Sequence, residues 1–168
     1  MMRRSMKPRS SGFTLVELMI VVLVASILIG VSVPTYQTQV RHSRRTDAKT
    51  ALLDLAVREE KYLTTNNAYT STASPLGYAA LPVAIGSGYY TINVCPGTAT
   101  GSTATTVACP SGTPAATGTS FIVSAVPVAG TSQASDSPCQ YFAVDNTGTQ
   151  FASSTTAGGT DTTSTCWH

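Results

Sequence analysis

Between Arg9 and Arg41 the chain carries a single charged side chain, Glu17. From Leu18 to Val33 the only residues that are not apolar are Ser26, Gly30 and Ser32. Residues 13–33 make up 21 positions, with Thr14 and Glu17 as the polar exceptions near the start. A bilayer is crossed by about 20 mostly apolar residues in a helix. The segment before it holds Arg3, Arg4, Lys7 and Arg9 and no acid, which favours an N-terminus kept in the cytoplasm.

Three readings compete for this segment. A secretory signal peptide has a shorter apolar region, about 7–15 residues, and a small-residue cleavage site after it. Val31-Ser32-Val33-Pro34 is a poor site of that kind. A plain membrane anchor leaves Glu17 unexplained, because a carboxylate in the span costs about 2.5–3.5 kcal/mol near its centre and less towards an end. In the third reading the chain is cut between Gly12 and Phe13, which leaves Glu17 close to a new amino terminus.

Ser11-Gly12-Phe13-Thr14-Leu15-Val16-Glu17-Leu18-Met19 resembles the processing site of type IV prepilins, and the likeness extends through Ile20-Val21-Val22 to Pro34-Thr35-Tyr36. The resemblance implies that residues 1–12 are a leader removed by a membrane-embedded prepilin peptidase. The same enzyme N-methylates the new N-terminal Phe13. A carboxylate in hydrocarbon needs a cationic partner. By resemblance, Glu17 pairs with the Phe13 amine of a subunit already in a filament and sets the register of assembly. The alternative is a Glu17 that merely sits at headgroup level. Many pilins have Gly where this chain has Ser26, so local unwinding near Pro34 is less firmly expected here.

After Tyr36 the pattern turns amphipathic. Ala48, Leu52, Leu55, Glu59 and Tyr62 are spaced four, three, four and three apart, with Ala51, Ala56 and Leu63 beside them. This is the periodicity of a helical stripe packed on a sheet, and Glu59 interrupts it as though at an edge. Pro34, between the apolar and amphipathic halves, predicts a kink. One helix over residues 13–63 would span about 75 Å. A head of this size cannot cover the first half, which must lie in lipid or against other copies. Arg41, His42, Arg44 and Arg45 follow the apolar run. They suit lipid headgroups or acids of a neighbouring subunit, but a solvated helix face is the expectation for any one of them.

Charge then almost disappears. Residues 62–168 contain three charged side chains, Asp136, Asp145 and Asp161, and no Lys or Arg, while 35 of these 107 residues are Ser or Thr. Phosphate binding rests on Lys and Arg, so this stretch alone cannot form a nucleic-acid surface. Residues 64–88, with Asn66-Asn67, Pro75, Gly77, Pro82, Gly86 and Gly88, read as a connector. Tyr89–Val94, Ser120–Val126, Gln140–Val144 and Thr149–Ala152 read as strands, with a turn at Asp145-Asn146-Thr147-Gly148. The expected fold is α+β: a long N-terminal helix packed on a three- to four-stranded antiparallel sheet, with a disulfide-bracketed C-terminal loop. The divisions are a leader at 1–12, an apolar assembly helix at 13–40 and a head at 41–168. The head comprises an amphipathic helix at 41–63, the connector at 64–88 and a meander with disulfide loops at 89–168.

Residues 97–118 and 153–165 are Gly/Ser/Thr-rich and read as loops. Four cysteines allow three pairings. Pairing sequence neighbours gives Cys95–Cys109 and Cys139–Cys166, each closing one loop and each worth roughly 3 kcal/mol in the chain-entropy model. By resemblance, Cys139–Cys166 is the bracket pilins place around their last loop. The spacings fit no zinc module. His42 and His168 are the only histidines, Asp145 reads as a turn residue, and no phosphate-binding glycine loop opens a helix. No enzyme, metal or cofactor is expected.

What the resemblance implies is a structural subunit of a type IV pilus, major or minor. It sits in the bacterial inner membrane with its N-terminus cytoplasmic. It then joins a homo- or hetero-polymer of pilin subunits through the assembly platform, for adhesion, twitching motility or DNA uptake. The alternatives are a type II secretion pseudopilin, against which the cysteines and sparse head acids weigh, and a pilin specialised as a DNA-uptake receptor, which the head charge does not support.

Overall fold

The computed structural model describes residues 12–96, 118–155 and 159–168. The chain divides into two compact units, Met1–Gln39 and Val40–His168. In the first, helix α1 (Leu15–Asn66) begins behind Thr14. The Glu17 backbone N–H donates to Thr14 Oγ1 at 3.3 Å. Thr14 and Glu17 thus hold the N-cap and N3 positions of a capping-box pattern. The helix runs through Pro34 and ends at Asn66, with Asn67 in the left-handed region at φ 51°.

In the second unit α1 packs on a five-stranded antiparallel meander, β1 (Val83–Ile85), β2 (Tyr90–Pro96), β3 (Phe121–Pro127), β4 (Tyr141–Asp145) and β5 (Gln150–Ser153), in that spatial order. Side chains alternate between the faces of a strand, and register sets one row opposite the helix: Val83, Ile92, Ala125, Phe142 and Ala152 are successive cross-strand partners. Ala48, Leu52 and Leu55 are completely buried against this face. Each of the two leucines contributes about 1.5–3 kcal/mol on burial. On the other face Ile122, Tyr141, Ala143 and Phe151 form a second buried cluster.

The four strands read from the sequence are all present, and the sheet has one more. Val83–Ile85 lies inside the expected connector, too brief and too closely framed by Pro82 and Gly86 to show a period of its own; its pairing with β2 makes it a strand. The loop-like tail also carries structure. Helix α2 (Thr163–Cys166) follows a bridge from Asp161 to Ser153. Thr162 N–H donates to the Ala152 carbonyl and Trp167 Nε1 to the Phe151 carbonyl. These contacts cover the edge of β5, which would otherwise offer unpaired backbone groups.

Candidate functional site

The first unit is defined by what it leaves uncovered. Fifteen large apolar side chains from Phe13 to Val33 are 48–77% exposed. Among the described residues, α1 is the one helix long and apolar enough to cross a membrane. Such a surface is not stable in water, so this half requires lipid or further copies of an equally apolar helix. Gly12 and Phe13 are exposed ahead of the helix and Glu17 is exposed in its first turn, open to a partner. The expected leader falls on residues outside the described ones, apart from Gly12.

The second unit holds the polar machinery. Arg45 is buried, and its guanidinium donates to both carboxylate oxygens of Asp136, at 2.7 and 2.6 Å. Gln133 Nε2 donates to Asp136 Oδ2 at 2.9 Å and lies 2.8 Å from the Tyr90 hydroxyl. This fork-to-fork pair ties α1 to the 3-10 turn Ser132–Ser135 before β4. The expectation of a solvated helix face therefore fails at Arg45. The signal was present in the spacing: Arg45 stands three residues before Ala48 and continues the buried stripe.

Arg44, its neighbour, is half-buried. Its guanidinium lies 3.4 Å from the centre of the Tyr89 ring and donates to Ser132 Oγ at 2.7 Å. Stacking of this kind holds a guanidinium flat and leaves its remaining donors facing outward. Arg58 follows a similar plan. It donates to Asp54 at 2.8 Å and to the Leu76 carbonyl at 2.9 Å, beside the Tyr78 ring. The bond to Asp54 holds its pKa above the ordinary value despite some desolvation. Gly77, at φ 81°, fits here because a Cβ would come within 2.7 Å of that guanidinium. Lys61 and Arg58 then line an open groove with Tyr62, Thr65 and Leu76. Lys49 lies towards Trp167 on another flank, 5.9 Å from the ring. Burial, with Arg45 adding to it, pulls the Lys49 pKa below its usual value. Among the described residues, Arg41, Arg44, Lys49 and Lys61 make no ion pair with a carboxylate.

Glu59 is also corrected. It marks no edge: it is completely buried, accepts the Thr70 backbone N–H at 3.1 Å on Oε2, and has no hydrogen-bond partner for Oε1. Burial, opposed by that bond, pushes its pKa up to about 7. Asp145 is a turn residue as expected: its Oδ1 accepts from the Thr147 and Thr149 backbone N–H groups and from the Thr147 hydroxyl.

The Cys139–Cys166 disulfide is formed, with Cα atoms 5.8 Å apart and both residues buried. Cys95, on β2, is disulfide-bonded as well, and Cys109, its expected partner, lies outside the described residues.

Two family models match this chain. The prokaryotic N-terminal methylation motif matches residues 7–33. The model described as type IV minor pilin ComP, DNA uptake sequence receptor, matches residues 34–143, well over half of the chain. The chain belongs to this ComP minor pilin family. It is thus a type IV pilin, a structural protein and not an enzyme, and the family implies processing and pilus-assembly partners. The chain is also 35% identical over 72 residues to the type IV major pilin protein PilA of Myxococcus xanthus (strain DK1622). That match takes in 43% of this chain and 33% of PilA, so the chain spans about a third of the length of this curated relative. A solved type IV pilin from Shewanella oneidensis aligns with 66% of this chain and 89% of its own, at 22% identity and a TM-score of 0.42.

Proposed function

We propose that this pilin is a minor subunit of a type IV pilus whose head binds DNA during uptake. It is inserted in the inner membrane by the apolar half of α1, cut after Gly12, methylated on Phe13 and drawn into the filament. There Glu17 pairs with the Phe13 amine of a neighbouring subunit, and Pro34 marks the passage from the buried half to the head. The observation that carries the DNA reading is the position of the ComP family match. It covers residues 34–143, most of which belong to the head, whereas the methylation motif that introduces it ends at residue 33.

Charge confines where DNA could touch. Residues 62–168 hold no Lys or Arg, so phosphate contacts fall to α1, and the cations free of carboxylates there are Arg41, Arg44, Lys49 and Lys61. Each phosphate neutralised steepens the salt dependence of binding by about 0.9 in log–log slope. The purified full-length protein in detergent should retard duplex DNA, with affinity falling steeply from 50 to 200 mM salt. Arg44→Gln and Lys61→Gln should each weaken binding and reduce the slope by about 1.

The second reading, a pilus subunit with no DNA role, is favoured by the absence of any Lys or Arg after Lys61. It predicts no retardation, together with normal DNA uptake in a deletion strain that still makes filaments. Either of those results would remove the receptor assignment.

A further inference from the structure

Two adjacent acids near the C-terminal end of α1 hold the chain that leaves it. Glu60 Oε1 accepts the Tyr69 hydroxyl at 2.8 Å, and Glu59 Oε2 accepts the Thr70 backbone N–H at 3.1 Å. The segment starts at Asn67, in its left-handed conformation, whose N–H donates to the Leu63 carbonyl at 2.9 Å. The Tyr69 N–H donates to the Gly118 carbonyl at 3.1 Å, its ring meets Phe121 edge-on at 4.7 Å, and the Thr72 N–H donates to Thr70 Oγ1 at 3.0 Å. A buried backbone N–H that loses its acceptor costs about 1–3 kcal/mol, so the Glu59 bond adds a polar fastening to the burial of Tyr69 in the main core.

We infer that Glu59 and Glu60 form a proton-dependent latch fastening residues 67–72 to the last turns of α1, a device independent of whether the head binds DNA. The geometry is of a kind that proton occupancy controls. The Glu59 carboxyl is sealed from solvent, with one oxygen bonded and the other without a partner. An ionised carboxylate in such a place costs far more than a neutral acid. The groups that face it add no cation. Glu60 is the charge that acts on it from its own helix, and Tyr69 is the titratable group on the strap. The elements packed over it come from residues 62–168, which contain no Lys or Arg; the one basic group there is His168 at the C-terminal end. Of the three acids there, Asp136 is bonded to Arg45, Asp145 closes the β4–β5 turn, and Asp161 is exposed near the C-terminus. Nothing nearby stabilises a charge on Glu59.

The proton is held more tightly by the closed form, with a pKa of about 7 against 4.5 for a solvated Glu. Ionisation therefore favours release of the strap. The latch is fastened most firmly below pH 4.5 and loosens as the pH climbs towards 7.

The test is amide hydrogen exchange on the full-length protein in detergent, read as the protection factor of Thr70 at pH 6 and pH 8. The wild type should lose protection roughly tenfold across this interval, and Glu59→Gln, which keeps the acceptor and cannot ionise, should lose none. Equal loss in both proteins, or no loss in the wild type, would overturn the latch. Should Glu59→Gln fail to fold, a carbon-13 titration of the Glu59 carboxyl in the wild type decides the matter. A midpoint near 7, with Thr70 protection falling up to that pH and levelling off above it, supports the latch, and a midpoint in the ordinary carboxylate range, or protection that does not change up to pH 7, refutes it.

Discussion

The two halves of α1 share one hydrogen-bonding pattern and have opposite environments. Up to Gln39 the described side chains are exposed, although most are apolar. From Val40 onward the helix buries Arg45, Ala48, Leu52, Leu55 and Glu59, two of them ionisable. Hydropathy alone would rank the halves the wrong way round. What decides burial here is the partner available. The amphipathic half has a sheet whose central row matches its stripe, whereas the apolar half finds its cover in a membrane or in other subunits. Helical stability in proteins comes mostly from such packing rather than from propensity, so the halves should respond differently to mutation.

Trp167, the only tryptophan, packs edge-on against Phe142 and reports on the head. The largest expected effect on its unfolding is from Asp136→Ala. This leaves Arg45 buried without its carboxylate and should cost about 3–5 kcal/mol in a denaturant titration. Leu52→Ala should cost about 2–5 kcal/mol by opening a cavity in the main core. Leu23→Ala removes the same side chain from the other half and should leave head unfolding within about 0.5 kcal/mol of wild type. An equal loss from both leucines would break the distinction between the halves.

Next in size is a pH effect confined to the amphipathic half. Since the folded pKa of Glu59 is raised to about 7 from 4.5, its contribution to head stability is complete below pH 4.5 and declines as pH rises to 7. Glu59→Gln should flatten that slope in denaturant midpoints measured from pH 4 to pH 8. The smallest effect on the head is expected from Glu17→Leu. Trp167 fluorescence should show unchanged unfolding and cell fractionation an unchanged membrane pool, while sheared filaments contain little or none of the variant.

Much of this was legible in the residues. The apolar run, the N-terminal methylation motif, the stripe from Ala48 to Leu55 and four of the five strands all carry local signals, while α1 runs three residues past the expected end at 63, to Asn66. Cys139–Cys166 followed from the resemblance. The parts that escaped depend on tertiary context. Three residues of β1 are too few for a period and become a strand through β2. Arg45 and Glu59 read as surface or edge because charge is usually solvated. Each is buried because the fold supplies a partner distant in sequence, Asp136 for one and the Thr70 amide for the other. The charge count weighed against the DNA reading because residues 62–168 hold no Lys or Arg, while α1 carries all the Lys and Arg of the second unit.

That confinement has a consequence for digestion. Trypsin cuts after lysine and arginine, so the stretch from Tyr62 to His168 offers it no site whether the head is folded or not. All of its cuts in the second unit fall from Arg41 to Lys61 on α1, and none falls within the sheet.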